Sequence, residues 1–439
     1  MRAVDIIRKK RDGQALNTEE IRWFVNAYAQ DDVPDYQAAA FLMAVYWRGM
    51  TRTETVDLTM AMAESGKMLD LSDISDYVVD KHSSGGVGDK TTLVVLPLVA
   101  ACGIPVAKMS GRGLGFSGGT LDKIEAINGV NVNLSDADFR RIARQTGIVL
   151  AGQTSQLAPA DGKFYALRDV TATVSSVPLI AASIMSKKLA SGANGIVLDV
   201  KIGAGAFVNT LKGAQELART MVDIGTDAGR DVVALLSDME QPLGHAVGNA
   251  LEVREAIETL QGNGPQDFRD HCITVAAHML QLAGRGQRWR KDQTEATKNM
   301  LHNKLQDGSA LAGFKKMIAA LGGDLAQVED PDLLPQARIH QTLYAAKDGY
   351  LKQVGANWVA LASLTLGAGR MKKGDAIDLA VGVVVRVKVG DTVRKGQPLA
   401  VIHANDEESA EKAMGYLQKA FAYSEAPVEP LPLFYGVID

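Results

Sequence analysis

The sequence predicts an α/β protein in three parts: a small all-helical domain, a larger α/β domain with a mostly parallel central sheet, and a C-terminal α+β part. Three observations carry this. Up to about residue 65, apolar residues recur at helical spacing with no strand between them. From Tyr77 onward, short apolar strands alternate with helices, the grammar of a parallel sheet covered by helices. The last hundred or so residues change again, to β-type alternation around turn signals. A chain of 439 residues is also too long for one compact core, so two or three domains are expected.

The elements follow in order. Asn17 and Glu20 form a capping box ahead of Ile21, Phe24, Val25 and Tyr28. A second helix is predicted from about Tyr36 to Trp47 and a third from Thr51, with Glu54 at the reciprocal capping position. Tyr77–Asp80 reads as a strand, followed by a glycine loop and an apolar helix over Thr91–Ala101. Val106–Met109 is the next strand, then a second glycine loop and a helix near Gly119–Ala126. Ile148–Ala151, Gly195–Val200 and Val232–Leu236 continue the strand series, interrupted over Lys163–Gly192 by two helices. Val381–His403 gives the C-terminal part a β-rich core.

Composition excludes several classes. A formal net charge of −4 lacks the basic excess of a nucleic-acid footprint. Met1–Asp12 is charged throughout and reads as an amphipathic helix, unlike a secretory signal. The apolar stretch Leu93–Ala107 is broken by Pro97, Gly103 and Pro105 and falls short of a membrane span. Cys102 and Cys272 sit in apolar surroundings, which fits reduced thiols and a cytoplasmic location.

The chemistry concentrates in the two glycine loops. Lys81-His-Ser-Ser-Gly-Gly-Val-Gly-Asp-Lys-Thr-Thr92 and Ser110-Gly-Arg-Gly-Leu-Gly-Phe-Ser-Gly-Gly-Thr-Leu-Asp-Lys-Ile-Glu125 both combine glycines with hydroxyls and cations. Glycines let main-chain N–H groups approach an anion, and the polar side chains complete a phosphate cradle. Both loops stand at carboxyl ends of predicted strands, where ligands of open α/β sheets bind. A P-loop is excluded because Asp89 stands where that motif needs Gly before Lys, and residue 84 is Ser. Gly113-Leu-Gly-Phe-Ser-Gly118 fits the dinucleotide fingerprint by chance, with no acidic residue at the ribose distance.

These segments resemble the thymidine/pyrimidine-nucleoside phosphorylase family. The likeness extends over Ile6–Gly13, Gln153–Asp161, Tyr165–Thr173, Ser183–Lys188 and Asp199–Phe207, in the family's order. It implies a helical domain of residues 1–70 completed by about 163–192, an α/β phosphate-binding domain of 71–162 and 193–335, and a C-terminal domain of 336–439. The last resembles the barrel-sandwich core of biotinyl and lipoyl carriers. Met371-Lys-Lys precedes that run instead of following it, so a carrier function is not expected. The site is implied to lie in a cleft, with phosphate on the α/β side and pyrimidine on the helical side.

The resemblance assigns phosphate to Lys81, Ser83, Thr92, Lys108, Ser110 and Thr120, with main-chain N–H groups of Gly85 and Gly86. Any one hydroxyl alone would read as a helix cap or loop hydrogen bond. Lys81 and Lys108 follow apolar strand residues, where a lysine without an anion nearby is costly. The base is assigned to Arg168, Ser183 and Lys187, with Leu114, Tyr165 and Ile180 along its faces. Ser183 and Lys187, four apart, share a helix face. Arg168 reads alternatively as a surface ion pair with Asp169 or Asp161. His82 is the expected proton donor to O2 of the leaving pyrimidine, since an ordinary imidazole holds both protonation states near neutrality. The alternative is a loop histidine that only positions phosphate.

Departures from the family pattern are Phe116, where a histidine is common, Ser84 for threonine, and Lys90. The family implies a potassium site at Gly88, Leu243, Ala246 and Glu255, with threonine as a further ligand where this chain has Lys90. Its ammonium is expected to replace part or all of that ion, pairing with Glu255; a solvated lysine at a helix start is the other reading. No organic cofactor is implied. The activity implied is reversible conversion of a pyrimidine nucleoside (uridine, thymidine, deoxyuridine) and phosphate into free base and α-pentose 1-phosphate, by a homodimer. The alternatives are a strict thymidine phosphorylase, an anthranilate-type phosphoribosyltransferase, which would need acidic magnesium ligands, and a non-catalytic binding protein on the same scaffold.

Overall fold

The protein is described from a computed structural model covering residues 1–113, 118–154, 156–284, 291–372 and 374–439, the side chains of 291–294 excepted. Four helices open the chain: α1 (Ala3–Arg11), α2 (Thr18–Ala29), α3 (Asp35–Arg48) and α4 (Arg52–Glu64). The Asn17–Glu20 and Thr51–Glu54 capping boxes both close, each satisfying two otherwise orphaned N–H groups. Phe24 of α2 stacks on Phe41 of α3 with centroids 4.4 Å apart, and Tyr28 meets Phe164 at 4.7 Å.

The α/β domain begins with β1 (Val79–Ser83), α5 (Thr91–Ala100), β2 (Val106–Ser110), α6 (Thr120–Ile124), α7 (Asp136–Thr146) and β3 (Ile148–Gly152). Then come α8 (Pro159–Val170) and α9 (Val177–Ala190), followed by β4 (Gly195–Ile202), α10 (Leu211–Asp227) and β5 (Asp231–Asp238). Ala160 and Phe164 of α8, with Leu179 and Ala182 of α9, join the apolar core of the N-terminal helices. The chain thus leaves the sheet, completes the helical domain and returns. β1 starts later and runs further than the sequence suggests, because its ladder with β4 pairs Val79–Ser83 with Gly195–Asp199 and carries His82 into the strand.

After β5 come β6 (Ala246–Val247), α11 (Asn249–Leu260), α12 (Gln266–Ala283), α13 (Lys291–Gln306), α14 (Ser309–Ala320) and the single turn α15 (Ala326–Glu329). The C-terminal part holds β7 (Ile339–Tyr344), β8 (Gly349–Val354), α16 (Ala356–Thr365), β9 (Gly382–Val385), β10 (Thr392–Val393), β11 (Pro398–Ala404), α17 (Glu407–Ala420), β12 (Phe421–Ser424) and β13 (Phe434–Ile438). Two small antiparallel sheets, ordered β10-β8-β12 and β6-β9-β11-β7, form its β core.

The main sheet has the order β13-β5-β4-β1-β2-β3, parallel except for β13. The C-terminal part, 336–439, is interwoven with this sheet. The last strand crosses back to edge the α/β sheet, and β6, from within 193–335, pairs instead with β9. Helices α5, α12 and α14 pack together against the sheet, while α10 covers β4 and β5. The carboxyl ends of β1 and β2 therefore open side by side, toward α8 of the helical domain.

Candidate active site

A cavity of about 450 Å³ lies at those strand ends. Ser83, Gly85, Gly86 and Thr92 line it from the first loop, and Lys108, Ser110 and Thr120 from the second, with His82 at its wall and Tyr165 and Asp169 of α8 opposite. Gly85 has φ +96° and Gly88 φ +70°, and a Cβ on Gly88 would stand 2.6 Å from the Leu243 carbonyl oxygen, so the loop's course requires glycine there. Leu114, with Phe116 beside it, lies outside the described residues.

Two cations line this cavity, Lys108 and Arg112, and Arg112 is already paired with Asp122 and Glu125. Lys108 is the one without a close anion. Its Nζ stands 3.6 Å from Asp80 and donates to the main-chain oxygen of Lys81. Burial, together with the charges of Lys188 and Lys81, outweighs Asp80 and lowers the Lys108 pKa to about 7. Asp80 itself is fully buried and accepts from Lys188 Nζ (2.7 Å) and from the main-chain N–H of Lys81 (2.7 Å).

His82 departs from the sequence-based expectation of an imidazole poised between states. Burial first, then the fields of Lys188, Lys108, Lys187 and Lys81, push its pKa well below the ordinary value. Both influences favour the neutral ring.

Lys81 lies behind the cavity wall. Its ammonium, 1 % exposed, does not line the cavity; it lies 3.8 Å from Asp89 and 4.0 Å from Asp199. Burial alone would raise the Asp89 carboxyl, yet Lys81, Lys201, Lys123 and the Ser83 hydroxyl hold it well below the usual carboxylate range. Asp199 accepts from Ser237 Oγ (2.5 Å) and contacts Lys201 (2.8 Å) and the His271 ring (2.9 Å). The lysine that sequence placed on phosphate thus compensates two carboxylates behind the loop.

Of the base-assigned residues, Arg168, Ser183, Lys187 and Ile180 do not line the cavity. Arg168 is buried, and its nitrogens donate to the carbonyl oxygens of Leu179 (2.9 Å), Val174 (2.7 Å) and Thr173 (3.4 Å). Among the described residues it forms no ion pair with Asp161 or Asp169. Lys187 donates instead to Asp161 (2.5 Å) and to Ser183 Oγ (3.1 Å), the helix-face pair that the spacing of four anticipates. Ile180, on the same helix, is half-buried against the core. Tyr165 alone of this group faces the cavity, with the Arg168 guanidinium 5.9 Å from its ring centre.

Sequence reasoning missed Asp89, read only as an intruder in a P-loop, and also Gln153, Asp169 and the exposed Phe207, which line the cavity. Gln153 and Phe207 sit in quoted motifs without a role. The four residues around the implied potassium position do converge, and Lys90 stands among them: its Nζ donates to Leu243 O (2.8 Å) and Ala246 O (3.2 Å) and pairs with Glu255. A second cavity, of about 350 Å³, lies between α11 and the C-terminal sheet and shares only Ala246 and Glu255 with the anticipated residues.

Known proteins match this architecture part by part. Residues 4–66 match the helical bundle domain of a glycosyl transferase family, 75–311 its a/b domain, and 350–424 the pyrimidine nucleoside phosphorylase C-terminal domain. The chain is 51 % identical over all 439 residues to the pyrimidine-nucleoside phosphorylase of Geobacillus stearothermophilus, covering 100 % of both chains. The Staphylococcus aureus (strain MSSA476) enzyme of that name matches to the same degree and extent. Anthranilate phosphoribosyltransferase of Thermus thermophilus superposes with a TM-score of 0.59 over 72 % of this chain and 99 % of that one, at 19 % identity; that likeness speaks for the fold.

Proposed function

From the chain's membership of the pyrimidine-nucleoside phosphorylase family, we propose that the cleft carries out reversible phosphorolysis of pyrimidine nucleosides to free base and α-pentose 1-phosphate. The observation that carries this reading is the shared cavity: two glycine loops with Lys108 and Arg112 on one wall, and helix α8 of the other domain opposite.

Phosphate binds between the loops, with Ser83, Thr92, Ser110 and Thr120 donating hydroxyl hydrogens and Gly85 and Gly86 donating N–H. Lys108 takes up a proton as the dianion arrives, because an anion at contact favours its charged form. A phosphate oxygen then attacks the anomeric carbon as the bond to N1 of the base breaks. The departing pyrimidine becomes anionic over O2 and O4, where Arg168, Ser183 and Lys187 donate. Closing the cleft brings these groups to the base and turns Lys187 from Asp161 toward it. The reaction needs one proton on the departing base, and hydrogenphosphate brings it. A neutral His82 suits a relay: it accepts at one ring nitrogen and donates at the other toward O2. Most of the rate then comes from positioning and fixed dipoles.

The substrate range we assign is broad: uridine, thymidine and deoxyuridine. A homodimer through the helical domain fits the apolar face of α3, where Tyr36 and Trp47 are 74 % and 77 % exposed and Met43 and Tyr46 lie between them. A cytoplasmic location fits two free cysteines, and no helix among the described residues is long and apolar enough to cross a membrane. The deciding measurement is release of free base from the three nucleosides with and without phosphate. Phosphate-dependent cleavage of all three is expected. Thymidine and deoxyuridine cleavage without uridine would narrow the enzyme to the thymidine branch, and no cleavage would overturn the reading.

A further inference from the structure

The turn before α11 and the start of α5 enclose a small group of oxygens. The carbonyls of Leu243 and Ala246 and the carboxylate of Glu255 converge on one point, and that point holds the Lys90 ammonium. The side chain is 0 % exposed, and its Nζ also stands 4.7 Å from the centre of the Phe268 ring. Glu255 is fixed from the other side by the main-chain N–H groups of His245 (3.0 Å) and Ala246 (2.9 Å). Gly244, at φ +67°, leaves no room for anything larger: a Cβ there would lie 2.2 Å from Glu255 Oε1 and 2.8 Å from Lys90 Nζ. Two carbonyls, a carboxylate and an aromatic face form an environment for one monovalent cation. A potassium ion at that point would overlap the ammonium, so the residues present do not fit the ion that the family resemblance implies.

We infer that Lys90 is a tethered replacement for a bound monovalent cation, and that this chain works without one. The ammonium ties the end of the phosphate loop to the 243–246 turn and to α11. It has a companion three residues along that helix: Glu252 pairs at 2.7 Å with Lys123, whose Nζ also holds the main-chain oxygen of Asp89 at 2.8 Å. Two lysines of the phosphate-site loops thus clamp two carboxylates of one helix face. A free ion would leave when its concentration falls; a lysine cannot.

The inference rests on the phosphorylase reading only for the word "phosphate", and its test does not use catalysis. Thermal unfolding of the full chain is measured in potassium, sodium and choline chloride at one ionic strength. The wild-type midpoint should agree within about 1 °C in all three, because no ion site distinguishes the native state. Lys90→Thr opens the site and leaves Glu255 buried without its cation. It should melt lower in choline and recover by about 3 °C or more in potassium. Lys90→Met keeps the bulk without the charge and should melt lower in every salt, with no recovery. A wild-type midpoint that rises with potassium, a Lys90→Thr protein indifferent to it, or a Lys90→Met protein rescued by it would each overturn the inference. The wild-type arm decides by itself if neither variant folds.

Discussion

Asp80 stands 3.6 Å from the Lys108 ammonium, near enough to favour its charge and too far to hydrogen-bond it. The carboxylate gives its short contact to Lys188 instead, at 2.7 Å. Lys108 is therefore buried without a close anion of its own, which is why its pKa falls to about 7. A phosphate-sized dianion supplies what Asp80 withholds.

Anion binding should follow from that relationship. Sulfate stays a dianion throughout the range and reports Lys108 without titrating itself. Below pH 7 the ammonium is already charged; above it, each sulfate must bring a proton in. Affinity for sulfate should hold near pH 6 and fall by up to about tenfold per unit above pH 7. Calorimetry in buffers of different ionisation enthalpy should show proton uptake approaching one at pH 8. Lys108→Met should bind weakly with little pH dependence, and a flat wild-type profile would remove Lys108 from the anion site.

His82 should titrate differently with and without anion. In the free protein burial and four lysines favour the neutral ring, so its carbon and nitrogen resonances should not move between pH 8 and 6. Bound sulfate offsets part of that positive field and should shift the titration upward. The signal is assigned by its loss in His82→Asn, among seven histidines. A midpoint near 6.5 in the free protein would restore the imidazolium acid that sequence alone suggests.

The fold was legible where local pattern and pairing agree. Both capping boxes, the β1–β5 series and the position of both glycine loops at strand ends follow from residue type and spacing. Ser83, Thr92, Ser110 and Thr120 were named through the family resemblance, and the structure brings all four to one cavity. The setting of Lys81 was not legible, because alternation along a strand does not say that Asp89 and Asp199 wait on its side. Nor was the neutrality of His82, which depends on lysines over a hundred residues away, such as Lys188. Arg168 shows the same limit: nothing in its surroundings in sequence says that three carbonyls receive its guanidinium.

The Asp199 cluster should carry much of the phosphate loop's rigidity. Ser84 N donates to Asp199 O at 3.0 Å, and Ser84 Oγ accepts from Lys201 N at 2.8 Å, so the loop hangs on the strand that bears the cluster. Burial would raise the Asp199 carboxyl, but Lys201, His271 and Lys81 hold it well below the usual range. A depressed carboxylate contributes stability that is complete above its unfolded value of about 3.9 and is lost only as pH falls toward the folded one. Asp199→Asn leaves Lys201 and Lys81 buried without that charge and should cost about 3–5 kcal/mol at pH 7. Denaturant unfolding checks this. The gap between variant and wild type should shrink well below pH 4, and a gap independent of pH would point to packing instead of charge.

β13 should matter to the same cluster from the far end of the chain. Phe434 stacks on His271 with centroids 4.8 Å apart, and Tyr435 Oη donates to Asp238 at 2.8 Å. The backbone of Asp238 also donates to Leu433 O at 3.1 Å, so the strand is fixed on both sides of its bulge. Removing residues 434–439 would strip β5 of its antiparallel partner and expose a long strand as the new edge at that side of the sheet. The truncated chain should unfold at lower temperature and self-associate, read by calorimetry and light scattering. Phe434→Ala keeps the ladder and removes only the ring. It should cost about 1–2 kcal/mol, less than full burial of a phenylalanine because the ring is half-exposed. The double variant with Asp199→Asn separates the two roles. Less than additive loss would mean that the Phe434 ring acts by holding His271 against Asp199. Additive loss would mean that β13 merely covers an edge.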